Sequence, residues 1–294
     1  MDLLIQTIIN GLLLGGIYIS VGIGFALVFG VLEVIDFAVG EYVMVGAFAG
    51  SILAVTVGVD ALFLAPVIFV LFYIVGFFVQ PFLHHVTTSD VPMPVLMALV
   101  FTFGIAFFAR GGVLTTFGPN TREVPTEIAT GGITLSSIGT IPTARLITGI
   151  FGVVAVSAFL YYLYNTDGGL AIRAIAEDRT DARLMGINIA RYQSVAYGMY
   201  AGLTATAGLF IGIVFSADPG MGMQYTAFAF FMVVLAGMGY LPGIIVSGLL
   251  LGLAQTMFST YVSGAWVFFV LFGIVYVVLL VSPQGILGRG EPVS

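Results

Sequence analysis

"LLIQTIINGLLLGGIYISVGIGFALVFGVL", residues 3–32, runs for 30 residues without an Asp, Glu, Lys or Arg. A helix needs about 20 predominantly apolar residues to cross roughly 30 Å of hydrocarbon, so this stretch alone is long enough to span a bilayer. Further charge-free stretches follow at 42–59, 61–89, 91–109, 146–166, 192–217 and 219–288. Over the whole chain 60% of residues are hydrophobic and 7% are charged, with a mean hydropathy of +1.16. These values place the chain among integral membrane proteins. A closed barrel is the other way to satisfy the backbone in lipid, but it requires stretches of about ten residues alternating apolar and polar, and none is present.

The expected fold is therefore all-α: one polytopic transmembrane helical bundle over 1–294, with eight or nine membrane spans and room for broken or re-entrant helices. Glycine and proline divide the apolar runs into spans near 3–29, 42–58, 61–80, 93–110, 143–164, 192–215, 224–239, 242–261 and 264–281. The 219–288 run needs internal breaks, which "GMGYLPG" (237–243) and "VSGAW" (262–266) supply. The first run exceeds the roughly 7–15 apolar residues of a signal-peptide core, and no basic segment precedes it. It is expected to stay in the mature chain.

Two absences narrow the function. Without cysteine there are no disulfides, thiol nucleophiles or thiolate-bound metals. All eight basic residues are arginine, so no P-loop is present, because its lysine is what reaches the nucleotide phosphates. The formal net charge of -6 argues against nucleic acid as a partner. No histidine lies within an expected span and GxSxG does not occur, so intramembrane hydrolysis lacks its nucleophile and base. His84 and His85 are adjacent, point about 100° apart on a helix and do not form an i, i+4 zinc face; a solvated loop accounts for them.

"AIRAIAEDRTDARLMGINIAR" (171–191) gathers four of the eight arginines. Positive charge is retained in the cytoplasm, which predicts a cytoplasmic segment over 166–191 and an extracytoplasmic loop over the Gly-, Pro- and Thr-rich residues 111–142. Counting spans puts the C-terminus with Arg289 in the cytoplasm and the N-terminus outside. If residues 30–58 re-enter rather than cross, the N-terminal side reverses. Within the arginine-rich segment, Asp178 is suited to cap a short helix with Asp181 in its first turn, and Gly186 to end it. Such a helix would present Ala182, Leu184, Met185 and Ile187 among arginines, inviting a partner's groove. A basic loop that merely fixes topology is the alternative.

A second polar intrusion, "FGVLEVIDFAVGEYVMVGA" (29–47), carries Glu33, Asp36 and Glu41 between two apolar runs. Each acid would cost on the order of 2.5–3.5 kcal/mol at a helix centre. Either they lie in an ordinary interfacial loop or they line a wet cavity at a helix break. Glycine numbers 39 and recurs in pairs four apart, at 11/15, 46/50, 198/202, 208/212 and 248/252, the spacing that lets helix backbones approach closely in lipid. The first and sixth spans each end in a Gly-containing break, a pattern compatible with an internal two-fold repeat.

Three motifs together resemble a known family. "GLLLGGIYISVGIGFALVFGVLEVIDFAVGEYVMVGAF" (11–48), "AIRAIAEDRTDARLMGIN" (171–188) and "VVLAGMGYLPGIIVSGLLLGLAQ" (233–255) followed by "SPQGILGR" (282–289) keep the order and spacing of the branched-chain amino acid ABC importer permeases, LivH-type subunit. The resemblance implies a plasma-membrane permease with no cofactor of its own, ATP and magnesium being bound by partner chains. It implies as partners two cytoplasmic ABC ATPase subunits, a second permease chain (a LivM-like subunit or another copy) and an extracytoplasmic substrate-binding protein. By the same resemblance Asp178, Arg179, Asp181, Ala182, Arg183, Leu184, Met185, Gly186 and Ile187 form the ATPase-coupling helix. Asp36, Phe37, Gly40 and Glu41, with Gly237 and Gly239, are the candidate translocation pathway. The chain departs from the family where Asp36 and Val39 replace the Asn and His of NFAHGE. A urea or short-amide importer of the same family is the nearest alternative, and a passive facilitator or channel the alternative from another class.

Overall fold

The computed structural model describes residues 2–88, 93–135, 139–237, 240–282 and 285. Eleven α-helices account for most of them: α1 (Asp2–Leu32), α2 (Val39–Val57), α3 (Ala65–Thr88), α4 (Pro94–Phe117), α5 (Thr143–Asn165), α6 (Asp167–Glu177), α7 (Arg179–Leu184), α8 (Ile189–Phe215), α9 (Met221–Ala236), α10 (Leu241–Tyr261) and α11 (Val267–Val281). A small antiparallel hairpin, β1 (Gly132–Leu135) with β2 (Gly139–Pro142), precedes α5. Seven helices, α1 to α5, α8 and α10, are long and apolar enough to cross a membrane, so this is a multi-pass membrane protein. The two expected crossings on either side of α10 are shorter: α9 has 16 residues and α11 has 15. At 1.5 Å per residue they reach only about 22–24 Å, less than the roughly 30 Å of hydrocarbon.

α1 and α8 form the interior, with 83% and 78% of their apolar windows buried, whereas α3 and α4 bury only 22% and 11%. Glycine explains the close approaches. A Cβ on Gly252 would strike the backbone of Gly15 and Gly11, one on Gly46 the Ala205 carbonyl, and one on Gly208 the Val43 carbonyl. Gly198 and Gly202 likewise receive Tyr73 and Phe69 of α3. All five spaced pairs thus serve helix packing, the role small residues take where no hydrophobic force drives association.

The two ends of the bundle are distinct. At one end Gln6 Nε2 donates to the Thr140 carbonyl at 2.7 Å and Ser51 Oγ to the Glu123 carbonyl at 2.8 Å. Asp60 Oδ2 there accepts from the Glu127 and Ile128 amides. Desolvation raises the Asp60 carboxyl pKa, but the hydrogen bonds from Leu62, Ile128, Glu127 and Thr126 outweigh it and hold the group below its ordinary value. The N-terminus of α1 therefore lies with residues 118–135 and 139–142, and α6 and α7 lie beyond the opposite end of α1.

Several local expectations change. α4 continues to Phe117, so the first residues of the expected 111–142 loop are helical. Residues 166–191 carry, besides the expected short helix at α7, a further helix, α6, where only a loop is expected. His84 and His85 belong to the last turns of α3, not to a loop, because nothing between Gln80 and Thr88 breaks the helix after Pro81 is accommodated within it. Arg289 and most of "SPQGILGR" lie outside the described residues.

Candidate functional site

α7 is a single short helix whose ends are written in its residues. The Asp178 carboxylate accepts from the Thr180 amide at 2.6 Å and the Asp181 amide at 2.9 Å, satisfying two of the first-turn N–H groups. Gly186 has φ +81, a left-handed conformation that glycine adopts without cost, and the chain turns there. Leu184 and Met185 are 81% and 84% exposed. Ala182, expected on the presented face, is instead buried, and Ile187 is half-buried with its amide bonded to the Ala182 carbonyl. A six-residue helix cannot hold itself in water, and these two residues anchor it to the bundle. The apolar surface it offers is thus Leu184 and Met185, beside Arg183.

Arg179 ties α7 to the membrane core. Its guanidinium donates to the Val31 carbonyl at 3.1 Å and lies 3.8 Å from Glu33 Oε2. The Glu33 side chain is 75% exposed, so that ion pair contributes little; the bond to the main chain, where α1 has run out of intrahelical donors, is the firmer link. Glu33 itself sits at φ +55, a conformation costing a non-glycine residue about 1–2 kcal/mol. α1 ends there and α2 begins at Val39, so the acids of residues 29–47 do lie at a helix break.

That break is built around Asp36, which is fully buried. Oδ1 accepts the Ala38 amide and Oδ2 the Tyr197 hydroxyl, both at 2.7 Å. The Tyr42 and Tyr197 hydroxyls are 3.2 Å apart, and the rings of Tyr42, Tyr197 and Tyr200 pack edge to face. Neighbouring helices secure the rest of the break: the Phe37 amide donates to Thr102 Oγ1 of α4 and the Gly40 amide to Thr226 Oγ1 of α9. Gly40 cannot carry a side chain, because a Cβ there would collide with the Gly222 carbonyl and Thr226. Glu41 is 6% exposed, its carboxylate lies over Gly222 at the start of α9, and its Oε2 has no hydrogen-bond partner.

Asp36, Phe37, Gly40 and Glu41 therefore come together. Phe37 and Glu41 line a cleft of about 330 Å³ with residues of α4, α9 and α11. Gly237 does not join them: it ends α9 at φ +90, where the backbone of Gly285 packs on it. Gly239 lies outside the described residues. Sequence reasoning missed Tyr197, Thr102, Thr226 and Arg110. The tyrosine and threonines read as ordinary apolar-span residues. Arg110 read as the terminus of its span, yet α4 carries it about two turns inside its end at Phe117. The signal for that was available in "GGVLTTF", which continues an apolar helical pattern as far as the helix-ending Gly118.

The family described as branched-chain amino acid transport system / permease component matches residues 7–280. The high-affinity branched-chain amino acid transport system permease protein LivH of Salmonella typhimurium is 30% identical over 98% of this chain and 96% of its own length. LivH of Escherichia coli K12 is 29% identical over the same shares. The high-affinity branched-chain amino acid transport system permease protein BraD of Pseudomonas aeruginosa is 28% identical, again over 98% and 96%. With the match running through the helix break, the short capped helix and the helices that enclose them, the chain belongs to the branched-chain amino acid transport system permease family.

Proposed function

We propose that this chain is a permease subunit of a plasma-membrane ABC importer that moves branched-chain or other hydrophobic amino acids into the cytoplasm. Separate ATPase subunits drive it, a second permease chain completes the pathway, and an extracytoplasmic binding protein delivers substrate. The observation that carries this reading is the connection from α7 to the helix break: a capped helix exposing Leu184 and Met185 is bonded through Arg179 to the Val31 carbonyl at the end of α1, five residues before Asp36. Force applied to α7 reaches the break through that bond, and the break borders the Glu41 cleft. The names of the relatives, all branched-chain amino acid permeases, support the substrate class.

Co-expression of this chain with its genomic neighbours and purification in mild detergent tests it. The expected result is recovery of an ATPase chain with the wild type and its loss when Leu184 and Met185 are both replaced by Asp, because the apolar contact would be exchanged for two unpaired charges in a partner's groove. Recovery of the wild type without any ATPase would sink the reading, as would ATP-independent leucine uptake by the isolated chain in liposomes, which belongs to a passive facilitator.

A further inference from the structure

An arginine within a membrane-crossing helix is expensive and requires a counterpart. Arg110 of α4 has no carboxylate within 4 Å among the described residues. Glu41 of α2 is buried with an acceptor oxygen that nothing satisfies. Both line the same cleft of about 330 Å³, at the lower end of the volumes that hold small ligands. Between and around them the wall is aromatic, with Phe37, Phe103, Phe230 and Phe231. Phe37 is held rigidly, stacked on Phe103 at 4.3 Å and tilted against Phe230 at 5.0 Å.

We propose that this cleft is an intramembrane holding site for a zwitterionic α-amino acid, in which Glu41 accepts the ammonium, Arg110 donates to the carboxylate and the phenylalanines take the apolar side chain. This deepens the permease reading and rests on it for the substrate class. A buried acceptor without a hydrogen-bond partner and a guanidinium without a carboxylate within 4 Å, on two helices facing one cleft, are what a molecule carrying both opposite charges would bridge. A buried polar atom left without a partner costs about 1–3 kcal/mol, more when charged, so occupancy of the cleft relieves a cost that the empty protein bears. An uncharged amide such as urea brings no opposite charge to either group, and the site discriminates against it. Arg110 in this role is a specificity residue.

The test measures equilibrium binding of three radiolabelled probes to the complete assembly in lipid nanodiscs, without binding protein: leucine, isoamylamine, which keeps only the ammonium, and isocaproate, which keeps only the carboxylate. In E41Q and in R110Q, leucine binding is expected to weaken about tenfold to a hundredfold, the range of one charge-assisted hydrogen bond. E41Q should weaken isoamylamine and spare isocaproate, and R110Q should do the reverse. A merely structural role would lower all three probes together, and that result overturns the proposal, as does wild-type leucine affinity in either variant or no leucine binding by the wild type. Should either glutamine variant fail to assemble, E41D and R110K, which keep the charges, are expected to assemble and to retain leucine binding and both analogue preferences; their loss overturns it equally. Retention of the ATPase chain is scored separately. An assembly that keeps its ATPase but binds no leucine removes the cleft and leaves the importer, whereas the analogue pattern without an ATPase removes the importer and leaves the cleft.

Discussion

Asp36 holds its carboxylate where no water reaches it, and the structure provides two donors for it, the Ala38 amide and the Tyr197 hydroxyl. An asparagine at this place would carry one acceptor oxygen and two N–H donors, so it could keep the amide bond and meet a rotated tyrosine hydroxyl. Asp36→Asn should therefore cost less than about 1 kcal/mol, whereas Asp36→Ala should cost about 1–3 kcal/mol by leaving buried donors unmatched. Thermal unfolding of the purified chain in detergent checks both; equal stability of wild type and alanine variant would show that the network does not hold the break. That the acids of residues 29–47 sit at a break was legible from their cost in an apolar run. That Asp36 is satisfied while Glu41 keeps an unpartnered oxygen was not, because the difference lies in Tyr197, 161 positions away along the chain.

At the scale of elements, α7 is the piece the sequence described most fully. Its cap, its length and its glycine stop are local chemistry, and Asp178, Asp181 and Gly186 take the positions that chemistry assigns. What the residues could not disclose is that Ala182 turns inward and that Arg179 reaches the end of α1, since both depend on α7 lying against the bundle. Gly186→Val forces a β-branched residue to a positive φ, at a cost of about 1–2 kcal/mol, and Asp178→Ala removes a cap worth about 1 kcal/mol. Both should lower the number of substrate molecules moved per ATP in proteoliposomes containing the full assembly while ATP hydrolysis continues. Unchanged transport per ATP in both would remove α7 from the coupling role.

For the molecule as a whole, the bundle has two chemically different ends: Asp60 with residues 118–135 and 139–142 at one, and α6, α7 and four arginines at the other. The positive-inside rule predicts that the arginine end faces the cytoplasm. The chain has no cysteine, so Ile128→Cys and Leu184→Cys each create one thiol at an exposed position, 49% and 81% exposed in the native residues. A membrane-impermeant maleimide applied to intact cells should label position 128 and leave 184 unlabelled until the membrane is opened. Labelling of both from outside would contradict the arrangement.

Hydropathy, charge placement and capping are properties of neighbours along the chain, so the sequence by itself determined that this is a helical multi-pass membrane protein, where its charged helix begins and ends, and which family motifs it carries. Only the tertiary structure decided that α1 and α8 form the interior and that Gly237 stands apart from the break. It also brought Arg110 and Glu41 to one aromatic cleft. Those outcomes depend on how closely glycine-lined helices approach one another, and that distance is set by packing between residues far apart in sequence rather than by any local pattern.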